Sequence, residues 1–208
     1  MAQDQVEVMT ALGFDTFAAA GHDRGGRVVH RMLLDHPEAV ARAAVLDIAP
    51  TRTMFETVDM AFALAQYHWF FLAQPYDLPE RMIGADPAAY LRHRLGRWTR
   101  TEDLLDPDAV AEYERAFDPE VIHASCEDYR AAATIDLDHD RADEDARIAS
   151  PLLVLWGTRG FVGQRYDVLA RWREKSAAPV DGGPLECGHF LAEEQPEATL
   201  TALREFFG

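Results

Sequence analysis

One turn constrains this chain more than any other feature in it. Residues Gly21-His22-Asp23-Arg24-Gly25 follow a short apolar run, Phe14 to Ala20, and precede a helical pattern from Arg27 to Asp35. In that pattern Val28, Val29, Met32 and Leu33 share one face, and His36-Pro37 closes it. Glycines flanking a central residue in this way, after a strand and before a helix, form the pattern of a nucleophile elbow. Its backbone turns sharply enough to lift the central side chain above the carboxyl edge of a sheet. The run Ala43 to Ile48 follows, nearly continuous in apolar residues, as a strand covered on both faces is. Strand, turn, helix and strand together predict a parallel βαβ unit and an α/β fold class.

The remainder of the chain is read around that unit. Val6, Met9 and Leu12 recur at helical spacing before Gly13, so the opening residues read as the end of a helix. From Thr51 to about residue 147 the texture changes to long helical patterns rich in aromatics, including Tyr67-His68-Trp69-Phe70-Phe71. The strand pattern returns at Pro151 to Gly157 and is followed by a helix around Tyr166 to Lys175. A short strand near Pro184 to Cys187 and an amphipathic helix from Glu194 to Phe207 close the chain. The expected organisation is an α/β core made of residues 1–50 and 148–208, interrupted by a helical cap of residues 51–147. At 208 residues and 48% hydrophobic, the chain is long enough to bury one substantial core with such an insertion.

The elbow usually presents serine, and here it presents Asp23. A carboxylate in that place acts on an alkyl carbon rather than a carbonyl carbon, forming an ester that water must then cleave with the help of a general base. Of the eight histidines, His189 alone combines a preceding strand, a glycine and a following closing helix, in Gly188-His189-Phe190. It is the candidate base. A third group should orient the imidazole and stabilise its cation. The loop after the strand PLLVLWG holds no acid, whereas Asp47 ends the preceding strand, where an unpaired charge is costly. Asp47 is therefore the candidate orienting acid, with helix capping or a structural salt bridge as the competing role.

The motifs GHDRGGR, VLDIAPT, HWFFLAQP, CEDYRA and GHFLAEE, in that order, resemble the fluoroacetate (haloacetate) dehalogenase branch of the α/β-hydrolase superfamily. The likeness extends over essentially the whole chain. It implies an α/β-hydrolase fold with an inserted helical cap and a cofactor-independent dehalogenation of a small 2-haloacid. By that resemblance Asp23 is the nucleophile, His189 the base and Asp47 its acid partner. Arg24 and Arg27 hold the substrate carboxylate, and His68, Trp69 and Tyr129 hydrogen-bond the departing halide. Trp98 matches a tryptophan near the pocket. Two guanidinium groups in the first helical turn after the nucleophile suit a carboxylate, because their donors form a fork. Fluoride leaves poorly unless several donors stabilise its developing charge. An epoxide hydrolase of the same fold is the alternative enzyme, with Tyr90 and Tyr129 as epoxide-protonating phenols. A non-catalytic remnant or binding protein is the alternative outside catalysis.

Composition narrows the partners. A formal charge of −16 repels nucleic acid and anionic membrane surfaces, so a small anionic substrate must be attracted by local cations. Cys126 and Cys187 show no metal or redox spacing, which predicts reduced thiols and no cysteine chemistry. Asp136, Asp138 and Asp140 alternate as a calcium loop begins, but Arg141 and Arg147 stand where such a loop needs glycine and glutamate. No metal is expected, and the acidic run reads as a solvated hinge between cap and core. Neither a signal-peptide pattern nor a membrane-length apolar run occurs, making the cytoplasm the default compartment; the resemblance adds a homodimer to the expectations. An elbow at residue 23 leaves no room before it for the strands such hydrolases carry, and no His-Gly-x-Pro loop occurs. An exposed sheet edge, a pocket open on one side and the loss of one oxyanion donor are expected in consequence.

Overall fold

The computed structural model describes residues 1–99 and 105–208. In chain order the elements are α1 (Ala2–Ala11), β1 (Phe17–His22), α2 (Arg24–Asp35), β2 (Val40–Leu46), α3 (Thr51–Glu56), α4 (Met60–Ala65), α5 (His68–Phe71), α6 (Leu78–Gly84), α7 (Pro87–Thr99), α8 (Pro107–Ala116), α9 (Pro119–Ala132), α10 (Ile135–Ala142), β3 (Leu152–Gly157), α11 (Phe161–Arg165), α12 (Val168–Arg173), β4 (Val180–Leu185), α13 (Leu191–Glu194) and α14 (Pro196–Phe207). They divide into two compact units, residues 1–50 with 145–208 and residues 51–144.

The first unit holds a parallel four-stranded sheet in the order β1-β2-β3-β4. Its two inner strands are its core: Ala43, Ala44 and Val45 of β2 and Leu152 and Val154 of β3 are wholly buried. Continuous apolar runs make such strands legible, because both faces lie under helices. On one face Leu46, Leu153, Leu155 and Leu191 pack with Phe206 and Phe207 of α14. Elsewhere in the unit Trp172 of α12 is fully buried, and its indole N–H donates to the Ile48 carbonyl at 2.9 Å. β1 pairs only with β2 among the described residues, and Ala18 and Ala20 on it are exposed. Cys187 in this unit and Cys126 in the other are free and buried, and burial pushes their thiols up to about 12 and about 11, so neither is a nucleophile near neutrality.

Three boundaries differ from the sequence expectation. The last strand is Val180–Leu185 rather than Pro184 to Cys187, and its Val-Asp-Gly-Gly-Pro-Leu composition hides it. Gly182 sits at φ 137° against the backbone of Val154, where a side chain has no room, and Pro184 is tolerated because β4 ends the sheet order. The helix expected from Tyr166 to Lys175 is α12, Val168–Arg173, which starts later because Tyr166 is extended and the Asp167 side chain accepts the Ala170 N–H at 3.1 Å; the short α11 before it was not expected. Most of the acidic run is helix α10, where Asp138 pairs with Arg141 at 2.8 Å and Asp140 accepts the Arg52 backbone N–H at 3.1 Å, and the two units divide at the end of the run, between Glu144 and Asp145.

The second unit is wholly helical among its described residues. Asp59, Asp106 and Asp118 cap α4, α8 and α9 through their carboxylates, and proline follows Asp106 and Asp118 at the first helical position. Arg130 of α9 ties down α6 through both oxygens of Glu80, at 2.7 and 3.0 Å, and that pairing holds the Glu80 carboxyl down at about 2. Glu80, His123 and Glu127 come close enough to suggest a cation site, but Arg130 already supplies the positive charge between the two glutamates. No helix among the described residues is long and apolar enough to cross a membrane.

Candidate active site

Asp23 stands between β1 and α2 at φ 49° and ψ −119°, a conformation that costs a non-glycine residue about 1–3 kcal/mol. The surrounding chain fixes it there. Its N–H donates to the Leu46 carbonyl at 3.2 Å, and its own carbonyl accepts from Gly26 and Arg27 at 3.0 and 3.3 Å. The sequence pattern singles out Gly21 and Gly25, but the structure shifts the steric demand by one residue. A Cβ on Gly21 would fall on the Gly25 carbonyl, and one on Gly26 would lie 2.8 Å from Ile48 Cδ1, whereas a Cβ on Gly25 would meet open space. The turn therefore requires glycine at 21 and leaves little room for a side chain at 26.

Asp47 follows β2 and also holds a positive φ, 51°. Its buried carboxylate is used on both oxygens: Oδ2 lies 2.6 Å from His189 Nδ1, and Oδ1 accepts the Gly157 N–H at 3.0 Å. Gly160 leaves it room, since a Cβ there would stand 3.1 Å from each carboxylate oxygen. Of the competing roles, a buried ion pair does describe Asp47, and its partner is His189 itself.

His189 lies on the loop between β4 and α13, with its Nε2 3.6 Å from Asp23 Oδ2. The loop backbone is clasped by two side chains. Glu194, buried at the end of α13, accepts the N–H groups of Gly188 and Phe190 at 2.7 and 2.9 Å, one on each oxygen. His22 Nε2 lies 2.8 Å from the His189 carbonyl, an acceptor, so the proton of His22 is on Nε2. Burial and the His189 cation keep the His22 imidazole below its ordinary pKa and hence neutral.

The imidazole of His189 thus stands between two carboxylates. Burial works to lower its pKa, but the interactions with Asp23 and Asp47 prevail and hold it up at about 10. Asp23 shows the reciprocal effect: burial works to raise its pKa, yet His189, His22 and Arg27 drive it well below the usual carboxylate range. Arg27 is buried on α2 and donates to the Ala49 carbonyl at 3.2 Å. Arg24, partly buried, opens the same helix one turn earlier and so shares its face. The local charge is two carboxylates against an imidazolium and two guanidiniums, a net positive patch on a strongly acidic protein.

In the helical unit the four residues expected near the pocket form one aromatic cluster. The His68 ring centroid lies 5.4 Å from that of Tyr129 and 5.3 Å from that of Trp98, and Trp69 stands 6.0 Å from Tyr129. His68, Trp69 and Tyr129 are buried. Arg94 of α7, absent from the sequence reading, joins them: its Nη2 lies 2.7 Å from His68 Nδ1 and its Cζ 3.9 Å from the Trp98 ring centre. Glu194 and His22 were missed as well, since a second glutamate in LAEE and a histidine inside the elbow motif carry no signal of contact with a loop. Tyr90 stacks on Phe117, and burial raises its phenol far above the ordinary value.

A carboxylate on the elbow and an imidazole held by a second, buried carboxylate stand together beside the strand ends of an α/β sheet. The chain belongs to the α/β-hydrolase family, whose fold description matches residues 1–196. It is a hydrolase. Over 99% of its length it is 44% identical to the fluoroacetate dehalogenase of Burkholderia sp, spanning 68% of that protein. Over 100% of its length it is 30% identical to the soluble epoxide hydrolase of Corynebacterium sp. (strain C12), spanning 72% of that one. A solved structure of a candidate α/β hydrolase from Nostoc sp PCC 7120 matches with a TM-score of 0.97 at 57% identity, over 100% of this chain and 71% of the other.

Proposed function

We propose that the chain hydrolyses a small 2-haloacid, converting fluoroacetate or another haloacetate to glycolate and halide through an ester on Asp23. The observation that carries this reading is the pair Arg24 and Arg27 in the first turn of the helix that the carboxylate Asp23 opens. Two guanidiniums beside a carbon nucleophile suit a substrate that is itself a carboxylate. The similarity to a fluoroacetate dehalogenase supports the same substrate class.

The reaction runs in two displacements. An Asp23 oxygen attacks the halogen-bearing carbon, the carbon–halogen bond breaks with its electron pair on the halide, and an ester forms. His68, Trp69 and Tyr129 donate hydrogen bonds to the departing halide. Ester formation removes the Asp23 charge, one of the two that hold the proton on His189. The imidazole pKa then falls, the proton leaves, and the neutral ring with Asp47 behind it takes a proton from water. The hydroxide adds to the Asp23 carbonyl carbon, with the Arg24 backbone N–H facing the oxyanion; the bond from that carbon to the substrate-bound oxygen breaks, that oxygen takes the proton from His189 and leaves as the hydroxyl of glycolate, and the Asp23 carboxyl proton returns to His189. No cofactor takes part.

The second reading is an epoxide hydrolase, favoured by the similarity to the Corynebacterium enzyme. It needs cap phenols as proton donors, and the raised pKa of Tyr90 makes that residue a poor one. Purified protein is to be offered fluoroacetate and a neutral epoxide in parallel. Fluoride release without diol supports the haloacid reading, and diol formation without fluoride overturns it.

A further inference from the structure

His22 is the residue before the nucleophile and closes β1 in register with Leu46, so its backbone is fixed by the same pairing that sets the elbow. Its side chain reaches across to the base. Nε2 lies 2.8 Å from the His189 carbonyl, and because a carbonyl oxygen only accepts, Nε2 carries the proton. The ring centroid stands 4.4 Å from that of His189 and 6.0 Å from that of Phe190, whose own ring lies 5.1 Å from His189. One side chain thus ties the elbow to the loop that carries the base, while Glu194 holds the same loop from α13.

These ties on His189 differ in what they depend on. Its Nε2 is 3.6 Å from Asp23 Oδ2, too long for a tight hydrogen bond, so that attraction is one between an imidazolium and a carboxylate. An ester on Asp23 has no charge, and the attraction ends when the ester forms. The Nδ1 contact with Asp47 at 2.6 Å and the His22 hydrogen bond to the main chain make no use of the Asp23 charge. Both remain at the moment when water must be activated. Asp47 fixes one corner of the ring, and His22 fixes the main chain from which the ring projects. The His22 ring itself must be uncharged there, since a second cation against His189 would oppose the first; burial and the His189 charge keep it neutral.

We infer that His22 is a positioning residue for the second displacement: through its hydrogen bond to the His189 carbonyl it holds the base at Asp23 after ester formation has removed the Asp23 charge. The inference rests on the covalent route proposed above. Ester formation depends on Asp23 and on the grip of Arg24 and Arg27, and proceeds without this contact. Hydrolysis needs His189 within reach of both the water and the ester carbon, where a small misplacement is costly.

The test pairs kinetics with spectroscopy on the full chain. In single turnovers of bromoacetate, bromide release and loss of the ester from the peptide containing Asp23 are followed separately. His22→Phe keeps a ring against His189 and removes the donor. It should release bromide within about twofold of the wild-type rate and lose the ester about tenfold or more slowly, the effect expected when a carbonyl is left without its hydrogen bond. His22→Gln, whose amide N–H stands where Nε2 does, should restore most of the ester hydrolysis. Equal slowing of both steps in His22→Phe overturns the inference, as does ester loss at the wild-type rate. A substrate-free measurement stands beside it. With ring-nitrogen-labelled histidine, the Nδ1 proton of His189 should keep its resonance in Asp23→Asn and in His22→Phe and lose it through exchange broadening in the double variant. A double variant as sharp as Asp23→Asn overturns the inference, and so does a wild-type His22 protonated on Nδ1 rather than Nε2, whether or not any variant folds. The expected resonances in a protein that releases no halide, or releases it with no ester on Asp23, refute the proposed reaction and leave the tie between His22 and His189 standing.

Discussion

At Asp23 and Asp47 the backbone takes φ of 49° and 51°, a region that non-glycine residues enter only when their surroundings impose it. Both carboxylates are thereby aimed at one imidazole, and the His189 pKa follows from that placement. Replacing Asp23 by Asn imitates the neutral ester, so it should lower the His189 pKa from about 10 by about one unit or more, as loss of a neighbouring opposite charge does. Proton-detected titration of the His189 ring in Asp23→Asn measures this, and an unchanged value would remove the proposed coupling between ester formation and base release. The sequence made Asp23, Asp47 and His189 visible because each stands at a strand end with a recognisable neighbour. It could not show His22 or Glu194 on the His189 loop, or Arg94 against His68, because those contacts join residues through tertiary packing with no fixed spacing.

The loop Gly188-His189-Phe190 is positioned as an element, through Glu194 at the far end of α13. A carboxylate accepts both backbone N–H groups; an amide offers one acceptor and turns a donor toward the other. Glu194→Gln should therefore lose about 1–3 kcal/mol of stability in urea unfolding. It should lower turnover more than it raises KM, because His189 loses its place while Arg24 and Arg27 keep theirs. Stability within experimental error of wild type would deny the clasp. The same element scale explains what the sequence hid. β2 and β3 announce themselves as apolar runs, whereas β4 carries two glycines and a proline and is held by its pairing with β3. The start of α12 depends on one extended residue, Tyr166, and a local cap on Asp167, which helical periodicity passes over, and the five residues of α11 are too short a run to show a helical period.

For the whole molecule the decisive contrast is between its average charge and its site. A net −16 repels anions at a distance, so an anionic substrate depends on the short-range pull of Arg24, Arg27 and the His189 cation, which salt screens less where they are buried. The α/β class and the helical insertion were legible because hydrophobic periodicity changes at residue 51 and returns near 150. The central claim is a covalent ester on Asp23, and one measurement reaches it directly. With enzyme in excess over fluoroacetate in heavy-oxygen water, a single turnover should place one labelled oxygen in the peptide containing Asp23 and release unlabelled glycolate. Labelled glycolate with an unlabelled Asp23 peptide would mean that water attacks the substrate itself, and would contradict the account.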